Sequence, residues 1–201
     1  MGKVYLSLSM SLDGFITGPD PRPGEPMGDG GERLHEWMAG MTDFRERGET
    51  GNPDADVLRE LSSRTGALLL GRTMLDFGEE PWGDDPPFGM PVFVVTHRPR
   101  EPVTKRGGTT YIFVTDGLEA ALERAQAAAG GKDVGLGGGA SLAQQCLSAG
   151  LLDEIQVHLV PVLLGAGTRL FDHLGDQPIE LERTGVVESP AGVTHLRFRV
   201  V

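Results

Sequence analysis

The order of strand-like and helix-like segments is the feature that most limits how this 201-residue chain can fold. Up to about residue 150, short apolar segments typical of strands alternate with segments that have the pattern of helices. This alternation predicts an α/β fold with a mostly parallel central sheet and helices on both faces. The remainder of the chain predicts strands without a helix, so we expect antiparallel strands at one edge of the sheet.

Local signals define several of these segments. The first strand is indicated by the alternation of Val4, Leu6, Leu8 and Met10. A helix is predicted over "NPDADVLRELSSRTG", where Asn52 or Asp54 is placed to cap its start and Gly66 lies past its end. Another is predicted over "DGLEAALERAQAAAGG", with Asp116 as the cap and Gly130 at the end. Because neither a repeat nor a linker interrupts the chain, residues 1–201 are expected to form one domain.

Charge and composition limit the partners. The formal net charge of −11 argues against nucleic acids and anionic membranes, which are bound through basic surfaces. No apolar segment is long enough to span a membrane, and the N-terminus lacks the apolar region of a signal peptide. The single cysteine, Cys146, has no partner for an internal disulfide. A cytoplasmic protein that binds a small molecule is the expectation.

The segment "DVGLGGGASLAQQ" predicts a strand, a glycine turn and a helix. "GLGGGA" matches a dinucleotide-binding fingerprint, but Asp153 and Glu154 begin the next strand, whereas the ribose-binding acid of that fold ends one. A P-loop is excluded because no Gly-Lys-Ser/Thr follows. The glycines alone are equally consistent with a tight turn that lets the helix lie close to its strand.

Two other predicted strands end in residues that suit a phosphate. One is followed by Gly71, Arg72 and Thr73, and the other by residues 96–98, which are Thr, His and Arg. Ligands of open α/β sheets bind beyond the carboxyl ends of the strands. Together with the glycine turn, these segments predict an anion-binding site at one edge of the sheet.

Five segments together resemble the dihydrofolate reductase-like superfamily, in particular the branch that contains the C-terminal reductase domain of the riboflavin-biosynthesis enzyme. They are "SLSMSLDGFITG", "GALLLGRTMLDF", "PVFVVTHR", "VGLGGGASLAQQ" and "DEIQVHLVPVLLGAGTRLF". The resemblance implies a dihydrofolate reductase-like fold with NADPH as cofactor. The implied cofactor contacts are Gly71, Arg72, Thr73, Thr96, His97, Arg98, Gly137, Gly138, Gly139, Ala140, Ser141 and Leu142. Among them, the segment from Thr96 to Arg98 would surround the 2′-phosphate, and the glycine turn would follow the pyrophosphate.

The substrate side is less defined by sequence. Asp13, after the first strand, suits substrate recognition or proton relay, and equally a simple Asp-Gly turn. Trp37 and Trp82 could line a pocket for a flat substrate or belong to the core, and the resemblance makes Gly165 a further candidate. The loop over residues 14–31 would cover the nicotinamide and substrate. Dihydrofolate reductases often have threonine at the position of Met74. They also bind their substrate through a carboxylate of the first helix, for which Asp29, Glu32 and Glu36 are the candidates here.

The predicted function is an NADPH-dependent reductase of a small pterin-like or pyrimidine-like compound. Two alternatives stay open: the 5-amino-6-ribosylaminouracil phosphate reductase of riboflavin biosynthesis, and an NADPH-binding protein without turnover. The five histidines have no metal-binding spacing, so no metal is expected. Sheet-edge contacts of relatives in the riboflavin branch imply a possible homodimer.

Overall fold

A computed structural model describes residues 2–38 and 51–201. In chain order, its strands are β1 (Val4–Ser11), β2 (Phe15–Thr17), β3 (Thr65–Gly71), β4 (Pro91–Val95), β5 (Val103–Thr104), β6 (Thr110–Val114), β7 (Asp133–Leu136), β8 (Glu154–Val160), β9 (Thr168–Arg169), β10 (Leu181–Glu188) and β11 (Thr194–Val200). Its α-helices are α1 (Pro53–Arg64), α2 (Arg72–Trp82), α3 (Leu118–Ala128) and α4 (Ala140–Ser148). Short 3-10 helices cover Gly31–Met38 and Arg106–Gly108.

Nine of the described strands form one sheet in the order β10-β11-β8-β1-β7-β3-β4-β6-β5. The strands from β8 to β6 are parallel, whereas β11 and β10 are antiparallel additions at one edge and β5 is antiparallel at the other. The predicted α/β class, with a mostly parallel sheet and antiparallel C-terminal strands, is confirmed.

Helices cover both faces of the sheet. Alternate residues of a strand point to opposite faces, and Val4 and Leu6 of β1 belong to the large core beneath α3 and α4. Tyr5 of the same strand instead packs with Val57 and Leu61 of α1. Ser7, Ser9 and Ser11 alternate with the apolar residues of β1, so they lie on the same face of the sheet as Tyr5 and α1.

A two-stranded ribbon of β2 and β9 lies beyond the end of β1. It joins the loop after β1 to the loop after β8, because Leu170 N donates to Gly14 O at 3.0 Å and Leu12 N donates to Val162 O at 2.9 Å. Both loops are thus held together at the carboxyl edge of the sheet.

Two predicted helix boundaries differ from the structure. Asn52 is the cap of α1, since its Oδ1 accepts from Asp54 N at 2.9 Å, but Gly66 lies inside β3. A Cβ on Gly66 would lie 2.4 Å from Ala129 O, so the glycine permits close approach of two backbones. The prediction that Asp116 caps α3 is wrong: Gly117 is the cap residue, and the Asp116 carboxylate pairs with Arg124.

Within residues 2–38 and 51–201, no helix combines the length and apolar character needed to cross a membrane.

Candidate functional site

The carboxyl ends of four neighbouring parallel strands meet at one edge of the sheet. Strands β1, β7, β3 and β4 are adjacent in that order, and they are followed by residues 12–14, 137–142, 71–73 and 96–98. We call these four segments the strand-end row. Adjacent strands lie about 4.8 Å apart, so the row extends about 14 Å from β1 to β4. The three segments predicted to bind phosphate are therefore neighbours in space.

The glycine turn forms the middle of the row. Gly71 N donates to Gly138 O at 3.2 Å and Gly137 N donates to Leu69 O at 3.0 Å, which joins the ends of β3 and β7. Gly138 and Gly139 have φ values of 123° and 47°, in the region that favours glycine. Met74 lies against this turn, because a Cβ on Gly138 would approach its Sδ to 3.4 Å.

The start of α4 follows this turn directly. The first N–H groups of a helix have no partner within the helix and carry partial positive charge. Ala140 and Leu142 point their side chains into the core, so only their backbones face the row, whereas Ser141 is exposed. A Cβ on Gly139 would meet no atom within 4 Å, so the turn before the helix is open, which suits an anion.

Arginines supply the positive charge at the β3–β4 end of the row. Arg72 Nε donates to Asp76 Oδ1 at 2.7 Å, and Arg98 Nη2 donates to Asp76 Oδ2 at 2.8 Å. Thr96 is buried, and its Oγ1 accepts from Arg98 N at 3.0 Å, which fixes the loop after β4. Thr73 and His97 are exposed beside the two arginines.

Asp13 lies at the β1 end of the row and organises the loop after β8. Its Oδ2 accepts from Gly165 N at 2.7 Å, and its Oδ1 accepts from Leu164 N at 3.1 Å and from Ser11 Oγ at 2.6 Å. The Ser11 hydroxyl is the largest influence that lowers the pKa of Asp13 to about 2. Asp13 is therefore a carboxylate at neutral pH, and the predicted residues Asp13 and Gly165 are direct neighbours.

Trp37 is 7% exposed and lies between the 3-10 helix and the sheet. Its Nε1 donates to Ser9 Oγ at 3.1 Å and to Leu34 O at 3.0 Å. Its ring centroid lies 4.9 Å from that of His158 and 5.1 Å from that of His195.

A buried chain of polar side chains behind Trp37 was not predicted from the sequence. Asp54 Oδ1 and His195 Nε2 are 2.7 Å apart, the Nδ1 atoms of His195 and His158 are 2.6 Å apart, and His158 Nε2 is 3.0 Å from Ser7 Oγ. When His195 donates from Nε2 to Asp54, its Nδ1 accepts from His158 Nδ1, and His158 Nε2 accepts from the Ser7 hydroxyl, so every group is satisfied. Burial, followed by the nearby His195 and His35, lowers the pKa of His158 to about 3.

The three carboxylates considered for substrate binding do not lie in a pocket. Asp29 is exposed and pairs with Arg22, Glu36 is exposed and pairs with Arg33, and Glu32 is exposed. The first α-helix of the described chain is α1, and its buried carboxylate is Asp54. The Asp54 carboxylate pairs with His195 Nε2 at 2.7 Å and accepts a hydrogen bond from Ser189 Oγ at 2.6 Å.

Trp82 lies apart from Trp37. It is the last residue of α2, ten residues beyond Arg72, so it sits about 15 Å along the helix from the strand-end row. Its ring packs edge-on against Phe88, with centroids 4.9 Å apart. The two tryptophans therefore have different ring neighbours, Phe88 for Trp82 and the two histidines for Trp37. Over residues 2–38 and 51–201, no group of three or more His, Cys, Asp or Glu side chains could hold a metal ion.

Comparisons with known proteins agree with this architecture. The uncharacterized protein YyaP of Bacillus subtilis is 26% identical over 98% of this chain and 94% of its own length. A putative riboflavin biosynthesis protein from Shewanella sp. PV-4 superposes with a TM-score of 0.69, at 20% identity and 99% coverage of both chains. Dihydrofolate reductase from Enterococcus faecalis, solved with NADP(H), superposes with a TM-score of 0.58, at 12% identity over 99% of this chain and 96% of that one.

The strand order and the shared superpositions define a dihydrofolate reductase-like α/β protein. More narrowly, the chain belongs to the RibD C-terminal domain family, which it matches over residues 2–195. Membership in a family of this fold makes it a homologue of reductases and supports an oxidoreductase activity.

Proposed function

We propose that the protein is an NADPH-dependent reductase that transfers a hydride to a small heteroaromatic compound of the pterin or pyrimidine type. The observation that carries the proposal is the strand-end row, where a glycine turn and two arginines follow adjacent parallel strands. Its length of about 14 Å suits an extended ligand with several phosphates better than a single phosphate ion. Such a ligand matches the implied dinucleotide.

The residues of the row fit this cofactor chemically. The turn over Gly138 and Gly139 presents backbone without side chains at the start of α4, which suits a pyrophosphate. Arg72 and Arg98 suit the 2′-phosphate that distinguishes NADPH from NADH, because a guanidinium pairs well with phosphate oxygens. The relative solved with NADP(H) has the same fold, and this supports a nicotinamide cofactor for the present chain.

When bound, NADPH would supply the hydride, and the chain would supply position. The glycine turn and the arginines would hold the phosphates, which would leave the β1 end of the row for the hydride-donating ring. Asp13 keeps the loop at Leu164 and Gly165 against this end. Because its pKa is about 2, Asp13 acts as a hydrogen-bond acceptor at neutral pH and not as a proton donor.

Family membership favours a pyrimidine related to riboflavin biosynthesis as the substrate class. Ribosylaminouracil phosphate reduction is the specific alternative, and it requires a second site for the substrate's own phosphate. A reaction with such a pyrimidine but not with its dephosphorylated form would support that alternative.

The test is a fluorescence titration of the purified protein with NADPH and NADH. We expect preference for NADPH, and Arg98→Ala should weaken NADPH binding about tenfold or more while changing NADH binding little. Arg124→Ala is the matched control, since Arg124 is also exposed and paired with one acid but lies on α3. Failure of the wild-type protein to bind either dinucleotide would refute the proposal.

A panel of pterins and pyrimidines then tests turnover through loss of dihydronicotinamide absorbance. Oxidation of NADPH with one member supports a reductase. Tight NADPH binding without oxidation by any member would favour the non-catalytic alternative.

We also propose that the protein works in the cytoplasm as a homodimer. Strand β10 is one of the two outer strands of the described sheet, and it exposes Leu181, Val186 and Val187. Pairing with a second copy would cover this edge. Sedimentation should detect a dimer that Val187→Lys weakens, and a monomeric wild-type protein at all concentrations would contradict this assembly.

A further inference from the structure

One carboxylate, Asp76, binds both arginines that the proposed function assigns to phosphate recognition. It lies one turn inside α2, four residues after Arg72, and its two oxygens accept from the two different guanidinium groups. Asp76 thereby spans the gap between the end of β3 and the loop after β4. Arg72 and Arg98 are held by an acid at the point where a ligand phosphate is expected.

The two arginines are not held equally. The Arg72 side chain is 22% exposed, and its guanidinium lies over the Phe113 ring at 5.8 Å from the centroid. The Arg98 side chain is 67% exposed, and its side-chain hydrogen bond within the described residues goes to Asp76. Arg98 is therefore the partner that can exchange Asp76 for another anion.

Asp76 is charged when this exchange would occur. Partial burial opposes ionisation, but the hydrogen bonds and charges of Arg72 and Arg98 outweigh it and keep the pKa of Asp76 below its usual value. One turn further along α2, Glu79 and Arg100 form a separate pair with two contacts of 3.0 Å. Glu79 also acts on Arg72 at longer range, but Asp76 is the acid that contacts both arginines of the row directly.

We propose that Asp76 is an internal competitor for the 2′-phosphate of NADPH and so limits the selectivity of the protein for NADPH over NADH. The inference rests on the proposed function. A carboxylate offers guanidinium groups two oxygens, as a phosphate does, so both anions use the same donors. A phosphate bound by Arg98 either replaces Asp76 at Nη2, the donor that Asp76 occupies there, or binds the other N–H groups and lies beside a like charge, and both outcomes lower its affinity.

The competition predicts a gain of function on removal of the charge. Asp76→Asn keeps the size of the side chain but removes both the charge-assisted contact and the repulsion. We expect NADPH to bind about tenfold more tightly to Asp76→Asn, on the scale of one charge-assisted hydrogen bond. NADH lacks the 2′-phosphate and gains no such hydrogen bond, so the affinity of the protein for NADH should change less than about twofold.

The experiment compares wild type, Asp76→Asn and Glu79→Gln by titration with NADPH and NADH. Glu79→Gln is the matched control, because it removes an acid of the same helix that contacts Arg100 directly and reaches Arg72 only at longer range. A selective gain in NADPH affinity for Asp76→Asn alone supports the competitor. Weaker NADPH binding by Asp76→Asn, equal change for both dinucleotides, or the same gain in Glu79→Gln would overturn it.

Binding of inorganic phosphate tests the role of Asp76 independently of whether the protein binds a dinucleotide. If wild-type protein binds neither dinucleotide, the reductase proposal fails, and the competitor is then judged by thermal shift with phosphate. A larger phosphate-induced shift for Asp76→Asn than for wild type and Glu79→Gln upholds competition between Asp76 and phosphate for the two arginines, although not for NADPH, and equal shifts overturn it.

Discussion

Acidification from pH 7 to pH 5 should lower the free energy of unfolding by about 2 kcal/mol through His158 alone. The folded-state pKa of His158 is about 3, against an ordinary value of 6.5. Between these values the unfolded chain binds a proton that the folded chain does not. The contribution of His158 to stability is therefore complete above pH 6.5 and is lost as the pH falls towards 3, at about 1.4 kcal/mol per pH unit.

The surroundings of His158 explain why it stays neutral. Ser7 on β1, His195 on β11, His35 on the 3-10 helix and, through His195, Asp54 on α1 enclose it. Burial also lowers the pKa of His35, so that residue adds to the loss in the same direction. The carboxylates with lowered pKa values lose their contribution mainly below pH 5, outside the chosen interval.

Urea unfolding at pH 7 and pH 5 measures this loss. Wild type and His173→Asn should both lose about 2 kcal/mol or more between the two pH values, because His173 is exposed and serves as the control. His158→Gln should lose clearly less, whatever its stability at pH 7. An undiminished loss in His158→Gln, or a His158 imidazole that titrates near 6.5 by NMR in the wild-type protein, would refute the reasoning.

Two further substitutions test close contacts of the fold. Gly66→Ala should destabilise the protein by about 1–3 kcal/mol, because its Cβ would lie 2.4 Å from Ala129 O. Gly185→Ala is the control, since its Cβ would have only ordinary contacts and stability should change little. Equal changes in melting temperature for the two variants would contradict this. Trp37→Phe should cost about 1–2 kcal/mol in urea unfolding, because the indole N–H donates to Ser9 Oγ in a buried site; an unchanged midpoint would show that this hydrogen bond is unimportant.

The strand-end row could be predicted because its cause is local. Each of its segments directly follows an apolar strand pattern, and parallel strands bring their carboxyl ends to one edge regardless of their order. The contact between Arg72 and Asp76 is also local, since they are four residues apart on one helix. The sequence alone did not indicate that Arg98 shares the same acid, because this depends on β4 lying beside β3.

The buried histidine chain could not be predicted, because its members are distant in sequence. His158 and His195 lie opposite each other only because β11 pairs antiparallel with β8. The sequence indicates Asp54 only as a helix cap, and its candidates for a substrate-binding carboxylate are Asp29, Glu32 and Glu36. The long loop after β1 hid where the first α-helix begins, and the described structure puts that start at Pro53.

The position of β1 in the sheet has a consequence for synthesis. Its two neighbours are β7 and β8, so Val4 pairs with Val134 and Ser11 with Val160. At translation rates of about 5–20 residues per second, about 6 to 30 s pass between the synthesis of β1 and that of its neighbours. During that interval the apolar side chains of β1 have no neighbouring strand beside them, so a chaperone can bind this segment of the nascent chain. The centre of the sheet can therefore form only late, through contacts between residues far apart in sequence. Because such long-range contacts slow folding, we expect the protein to fold slowly although its helices form from local contacts.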